Sequence, residues 1–420
     1  MEDNISGFKV DWYAGARAQL ELFSVPTGIP GSTKYGLKYT PPIRGTLRPP
    51  VQEPALGREE LDPIGQGLDS LVTTLQSVAN RQRNSGPASS QGADVDEAPK
   101  ETPNKKMAKL GWQLASQLIP QYINADLRKG GFFLEIGMDE ELQGYPWELM
   151  YDGDNFICLK HYLGRYVNVS KAPVLTQSRQ MDSSSDPREL SILIISVPRP
   201  LPRPTGMKYE YLPEAEAETK AILEALQGIP GVNIKLLMGR KEATFDNVFD
   251  ELKSKEYQII HFNGHANYND KDPSRSALVL DDQDMNARQV ASFFSNPPIL
   301  CFINACETAR TAQPLPDSTA QPVQNSLTWQ NSYDVFGLAR AFLEKGSYLL
   351  GSRWKLGDKA AAAFAKEFYL SLIKEQKPVG HAVTSARKVC QSASPEDHFS
   401  WASYVFYGDP RVYFRSTSMK

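Results

Sequence analysis

The chain has 420 residues, 41% of them apolar, and a formal net charge of −3. That length predicts two or three domains rather than one. The near-neutral charge gives no electrostatic basis for binding nucleic acid, and no apolar run is long enough to span a bilayer. The acidic start, Met1-Glu2-Asp3-Asn4, lacks the apolar core of a secretory leader. The four cysteines, Cys158, Cys301, Cys306 and Cys390, are scattered without metal-ligand spacing. A reducing cytoplasm with no metal and no cofactor is the expectation.

Residues 1–60 are rich in Pro and Gly, as in Thr40-Pro41-Pro42 and Arg48-Pro49-Pro50, and read as an extended arm. From Leu61 to Arg81 a helix is predicted, with Leu68, Leu71, Val72, Leu75 and Val78 on one face. Residues 82–106 are low in complexity and cannot bury enough apolar surface to offset ordering, so they read as a linker. A helix over Lys105–Lys129 follows, then a strand over Phe132–Met138. Phe156–Leu159 and Arg165–Val169 also look strand-like. Residues 107–188 therefore read as a helix and a small strand subdomain ahead of the main sheet, ending in a Ser-rich loop over 171–188.

From Glu189 the pattern turns regular. Strands are predicted at Leu190–Val197, Val232–Met238, Tyr257–Phe262, Ile299–Asn304 and Tyr348–Ser352. Helices are predicted near Pro213–Gln227, Thr244–Lys253, Asn286–Phe294, Val335–Lys345 and Asp358–Lys374. A hairpin-like piece falls at Ala277–Leu280, and closing helices near Val379–Gln391 and His398–Phe406. Pro213 with Glu214 and Glu216 suits a helix start. The alternation predicts an α/β fold: a mostly parallel sheet covered by helices on both faces, with a small helical and strand region N-terminal to it.

His265 and Cys306 each follow a short apolar run, Ile259-Ile260-His261-Phe262-Asn263-Gly264 and Ile299-Leu300-Cys301-Phe302-Ile303-Asn304-Ala305. Chemistry gathers at the carboxyl ends of parallel strands. A thiol beside an imidazole has a base to form the thiolate and an acid to protonate a leaving amine. The backbone N–H groups of Gly264, Ala266 and Cys306 are candidate donors to an oxyanion. Cys158, Cys301 and Cys390 read as buried small hydrophobes, and His261 as a core histidine. Asp281, Asp282 and Asp284 lack the glycine and distal Glu of a calcium loop and read as a turn.

Five motifs occur in order. His261-Phe262-Asn263-Gly264-His265-Ala266 comes first, then Asn304-Ala305-Cys306-Glu307-Thr308. Gly337-Leu338-Ala339-Arg340-Ala341-Phe342-Leu343 and Gly351-Ser352-Arg353-Trp354-Lys355-Leu356-Gly357-Asp358 follow. Trp401 with Gly408-Asp409-Pro410 closes the set, and Pro146-Trp147-Glu148-Leu149 lies upstream. Together the stretch from about Phe132 to Phe414 resembles the CHAT domain, a caspase-like and separase-like branch of the cysteine peptidases. The resemblance implies a caspase-like fold, a His265–Cys306 dyad, no metal, and cleavage of a protein substrate. By analogy with caspases it implies that Asn304, Ser352, Arg353 and Trp354 line the first specificity pocket. Ala266 departs from the glycine that many relatives carry after the histidine, and Ala resists positive φ.

The long segment from Glu307 to Asp334 reads as a gate or processing site over the nucleophile. Residues 1–130 lie largely outside the resemblance. They are expected to dock an activating or sensing protein partner, in a bacterial defence or programmed-death setting. The division expected is therefore an arm and helix over 1–81, a linker over 82–106, a small subdomain over 107–188 and the catalytic part over 189–420. The alternative reading is an inactive module of the same fold with a regulatory or scaffold role. An acyl transferase would need a carrier or nucleotide site, and the sequence offers none.

Overall fold

A computed structural model describes residues 7–26, 33–42, parts of 57–74, 102–139, 142–168, 189–267, 275–294, 296–307, 340–353, 358–393 and 399–417. The segments 82–101, 171–188 and 308–339 lie outside the described residues. The linker, Ser-rich loop and post-cysteine gate expected there are therefore not described.

The strands in chain order are β1 (Phe8–Trp12), β2 (Arg17–Pro26), β3 (Thr33–Thr40), β4 (Phe133–Asp139), β5 (Tyr162–Asn168), β6 (Leu190–Ser196) and β7 (Val232–Met238). They continue as β8 (Ile259–Asn267), β9 (Ala277–Val279), β10 (Asp284–Asn286), β11 (Leu300–Glu307), β12 (Tyr348–Ser352), β13 (Tyr404–Tyr407) and β14 (Val412–Ser416). Twelve of them form one sheet. Its order is β7-β6-β8-β11-β12-β13-β5-β4-β2-β3, with the β9–β10 hairpin paired to the C-terminal end of β8. The pairings from β7 through β12 are parallel, β13 runs antiparallel to β12, and β5, β4 and β2 are again mutually parallel.

The central strands are apolar on both faces. In β6, Ile192, Leu193 and Ile194 are all buried, which suits a sheet covered on both sides. The flanking helices are α1 (Pro103–Leu118), α2 (Gln121–Leu127), α3 (Ile157–Lys160), α4 (Pro213–Leu226), α5 (Phe245–Ser254), α6 (Ala287–Phe293), α7 (Asp358–Tyr369), α8 (Val379–Ala393) and α9 (Ser400–Ser403). The Thr244 hydroxyl caps α5, and α6 carries a capping box between Asn286 and Gln289. A π-helical turn, Leu370–Lys374, continues α7.

Five expectations change. The Pro- and Gly-rich N-terminus is not an arm: β2 and β3 are an antiparallel pair within the main sheet, and β1 pairs with β14 at the far end of the chain. Leu20 and Leu22 on β2, and Tyr35, Leu37 and Tyr39 on β3, are buried at alternate positions, the period of a half-buried strand. The strands after Phe132 are not a separate subdomain. The β5–β13 pairing, at Arg165 and Tyr407, joins them to the strands after Glu189.

The helix expected over Lys105–Lys129 divides at Pro120, whose ring cannot continue the turn before it. Phe156–Leu159 lies at the short helix α3 rather than on a strand. His398–Phe406 resolves into α9 and then β13, because Tyr404–Phe406 complete the sheet against Leu350–Ser352. The turn after β13 needs Gly408. Its φ is +143, and a Cβ there would meet Tyr348 Cδ1 at 2.4 Å.

Helical residues within 60–74 place Leu61, Ile64 and Leu71 in the core, and the Tyr145 hydroxyl bonds to Asp62. The segment 142–150 is a junction between the two halves of the sheet. Arg165 on β5 donates to the Gln143 carbonyl (2.7 Å), to the Tyr145 carbonyl (3.0 Å) and to both carboxylate oxygens of Glu148. Arg353, just past β12, donates to the Gly144 carbonyl. The Pro146-Trp147-Glu148-Leu149 motif is thus an anchored buried turn, with the Trp147 indole bonded to the Leu142 carbonyl at 2.8 Å.

Candidate active site

Strands β8 and β11 run parallel and in register from Ile259↔Leu300 to Ala266↔Glu307. Cys306 is the partner of His265. Opposed positions in a ladder belong to the same face, so positions 265 and 306 are on one side of the sheet. Both strands run further than their apolar runs predict. Each supplies the other's hydrogen bonds, and β9 pairs with Ala266 and Asn267, so the two residues lie in the last turns of the ladder rather than past it.

His265 is buried, with 3% of its surface exposed. Its Nε2 donates to the Glu210 carbonyl at 2.7 Å. A carbonyl only accepts, so Nε2 carries the hydrogen, and in the neutral ring Nδ1 is the basic nitrogen. Tyr209 packs on the imidazole at 5.3 Å between centroids and 34° between planes. Its hydroxyl accepts from Asn267 Nδ2 at 2.9 Å.

Tyr209 and Glu210 lie on the loop between β6 and α4, and that loop is tied down. Leu212 N–H donates to the Pro198 carbonyl at 2.8 Å, and Leu201 N–H to the Asp281 carbonyl at 2.8 Å. Arg203 reaches Asp284 on β10 at 2.8 Å and the Leu280 carbonyl at 2.8 Å, while its guanidinium covers the Tyr209 ring at 5.1 Å. Asp282 Oδ1 accepts from the Phe245 N–H at 2.9 Å, and the Leu280 N–H to Gln283 carbonyl bond closes the hairpin turn. No side-chain motif announces the Glu210 contact, because a backbone carbonyl belongs to every residue.

Below the dyad on the same face lies a buried polar network. Asn304 Nδ2 donates to both carboxylate oxygens of Glu218, at 2.8 Å each. His261 Nε2 stands 3.2 Å from the same carboxylate, close in distance but outside hydrogen-bond geometry. Burial, with Glu218 beside it, pushes the Tyr369 phenol well above its ordinary pKa, and its hydroxyl lies 3.2 Å from His261 Nδ1. Asn263 joins through its amide to Thr219 Oγ1 at 3.1 Å. Glu218 comes from α4 and Tyr369 from α7, so the network ties both covering helices to β8 and β11.

Asn304 is therefore buried against Glu218. Ser352 is 4% exposed, its hydroxyl without a hydrogen-bond partner among the described residues. Arg353 is also buried, its guanidinium turned toward the Gly144 carbonyl and the Glu148 carboxylate. Trp354 lies outside the described residues. Gly264 and Ala266 occupy the face of β8 opposite His265. A Cβ on Gly264 would approach the Val197 carbonyl at 3.2 Å.

The other cysteines are free and buried. Burial pushes the Cys158 thiol up to about 12 and the Cys301 thiol higher still. Neither is a thiolate near neutrality. Among the described residues no three His, Cys, Asp or Glu side chains group as a metal site.

A model of the CHAT domain family matches residues 108–409. No curated protein matches. Among solved structures, separase of Saccharomyces cerevisiae in complex with securin is similar over 93% of this chain, with a TM-score of 0.51 and 11% identity. This chain spans 30% of that separase chain. The Arg-specific cysteine proteinase gingipain R is similar over 76% of this chain and 70% of its own, with a TM-score of 0.44 and 12% identity. The fold is caspase-like: a large, mostly parallel sheet flanked by helices.

Proposed function

The chain belongs to the CHAT domain family, and from that premise we propose that it is a cysteine endopeptidase cutting a protein substrate with His265 and Cys306. The observation that carries this reading is the register of Cys306 opposite His265 at the end of two adjacent parallel strands. In the proposed reaction Nδ1 of His265 takes the thiol proton, and the sulfur attacks the scissile carbonyl. The carbonyl oxygen gains the charge, and the N–H groups of Cys306, Gly264 and Ala266 are the proposed donors to it. The C–N bond then breaks, the acyl group stays on sulfur, and the imidazolium returns its proton to the departing amine. Water hydrolyses the thioester, with His265 as base, and frees the thiol.

Asn304, Ser352, Arg353 and Trp354 are the proposed wall of the pocket for the residue before the cut. The substrate is an exposed extended segment, which adds main-chain hydrogen bonds along a sheet edge. A protein partner or ligand acting on residues 1–130 is the proposed activator, in a bacterial defence or programmed-death setting. Strands β2 and β3 lie in the same sheet as β11, and that shared sheet is the proposed route from the N-terminal region to Cys306. The cytoplasm, which keeps a thiol reduced, is the proposed compartment. Among the described residues no helix is long and apolar enough to cross a membrane.

The test is covalent. A peptide bearing an electrophile should label Cys306, and labelling should vanish in Cys306→Ala and drop steeply in His265→Ala. Fragments of the substrate should appear by mass spectrometry with the wild type and be absent with Cys306→Ala. A wild-type Cys306 no more reactive than an ordinary exposed thiol, unaffected by His265→Ala, would favour the non-catalytic regulatory reading.

A further inference from the structure

Among the described residues, six large apolar side chains are exposed: Tyr13, Trp112, Leu201, Met207, Tyr211 and Val389. Three of these, Leu201 (37% exposed), Met207 (51%) and Tyr211 (47%), fall on the single loop between β6 and α4. That loop also holds the Glu210 carbonyl and the Tyr209 ring against His265. Scattered exposed apolar residues need no explanation, but a concentration on one loop marks a contact surface.

The loop is held in shape from within and from below. Arg203 N–H donates to the Met207 carbonyl at 2.8 Å, and Gly206 N–H to the Arg203 carbonyl at 2.9 Å. The Arg203 side chain fastens it to the β9–β10 hairpin through Asp284 and the carbonyls of Leu280 and Asp281. Met207 and Tyr211 therefore project from a preorganised platform, so little ordering entropy opposes a ligand that packs on them.

Chemistry orients this platform. An imidazole that protonates the leaving amine must stand on the amine side of the scissile bond, and so must the loop that cradles it. We propose that the loop from Val197 to Leu212 receives the part of the substrate C-terminal to the cut. Leu201, Met207 and Tyr211 then select apolar side chains in the first positions after the scissile bond. The inference rests on the peptidase reading and extends it to the leaving-group side.

The experiment digests a library of proteome-derived peptides with the full chain and reads the residues on both sides of each cut. Apolar residues should be enriched in the first positions after the cut. In Met207→Asp with Tyr211→Ser that enrichment should disappear while the residue preferred before the cut stays the same. A second measurement needs no variant: two peptides share the sequence up to the cut and differ only after it, Leu-Val against Asp-Gly. The wild type should favour the first by roughly tenfold in kcat/KM, the scale of one or two apolar contacts. Equal rates on the two peptides, or an enrichment that persists in the double variant, overturn the inference and leave the peptidase reading standing. A wild type whose Cys306 takes the peptide electrophile but which cuts neither peptide nor library overturns both.

Discussion

The Glu210 carbonyl oxygen holds Nε2 of His265 at 2.7 Å. That bond selects the tautomer and turns Nδ1 into the basic edge of the ring. Its geometry depends on a loop fastened by Arg203 to Asp284 and to two carbonyls of the hairpin turn. Arg203→Met should therefore loosen the imidazole without touching it. The expected result is a roughly tenfold slower labelling of Cys306 by a peptide electrophile, in line with the steep dependence of reactivity on sub-ångström placement. The far-UV circular dichroism spectrum should remain that of the wild type.

Asn304 spans both oxygens of the Glu218 carboxylate two residues before the nucleophile. Asn304→Leu keeps the branched shape and removes both N–H donors, leaving the buried carboxylate beside His261. A loss of about 1–3 kcal/mol in urea unfolding is expected, the cost of stranding a buried charged acceptor. Asn304→Asp should be worse, because it sets two carboxylates side by side in the same buried site.

Glu148 and Arg165 are each almost wholly buried. Burial alone pushes the Glu148 carboxyl up; the Arg165 guanidinium, with Arg387 and Arg353, outweighs it and holds the group below the usual carboxylate range. The pair therefore stabilises the fold at pH above about 4.5, the ordinary glutamate value, and that contribution falls away as the pH drops through the lower folded-state value. Arg165→Met leaves the carboxylate uncompensated and should cost about 3–5 kcal/mol at neutral pH. Arg165→Met together with Glu148→Gln should recover much of that loss in the same unfolding measurement.

His161 behaves in the opposite sense. Burial lowers its pKa to about 4 from an ordinary 6.5, although its Nε2 is bonded to the Leu127 carbonyl at 2.7 Å. Between those values the unfolded chain binds a proton that the folded chain refuses, so stability falls as the pH falls. The slope is at most about 1.4 kcal/mol per pH unit from this one group. Thermal melts of His161→Gln, which keeps a donor for Leu127, should show a shallower decline between pH 6.5 and 4 than the wild type. An identical decline would place the acid sensitivity elsewhere.

The strands from β6 to β12 were legible because continuous runs such as Leu190–Ser196 and Leu300–Asn304 report burial on both faces. The candidacy of His265 and Cys306 was legible in two motifs, and the structure adds that the two positions oppose each other in adjacent strands. The N-terminal strands were not, because Pro and Gly masked a period of two at Leu20 and Leu22 and at Tyr35, Leu37 and Tyr39. Tyr404–Phe406 reads as the end of a helix from local pattern because its place in the sheet depends on pairing with β12, some fifty residues earlier. Nothing in the spacing of Glu214, Glu216, Glu218 and Glu224 along the helix sets Glu218 apart. Its burial follows only from how α4 lies over Asn304 and His261.

Local order in the chain determined the alternation of strands and helices, the inert character of Cys158 and Cys301, and the candidacy of His265 and Cys306. Those features follow from side-chain type and spacing, which neighbours along the backbone express directly. Tertiary structure alone decided that position 306 on β11 opposes His265 on β8, that Glu210 holds the imidazole through a carbonyl, and that β2 and β3 complete the same sheet as β11. These are contacts between segments far apart in the chain, made through backbone groups that every residue carries, and only the folded geometry selects which of them meet.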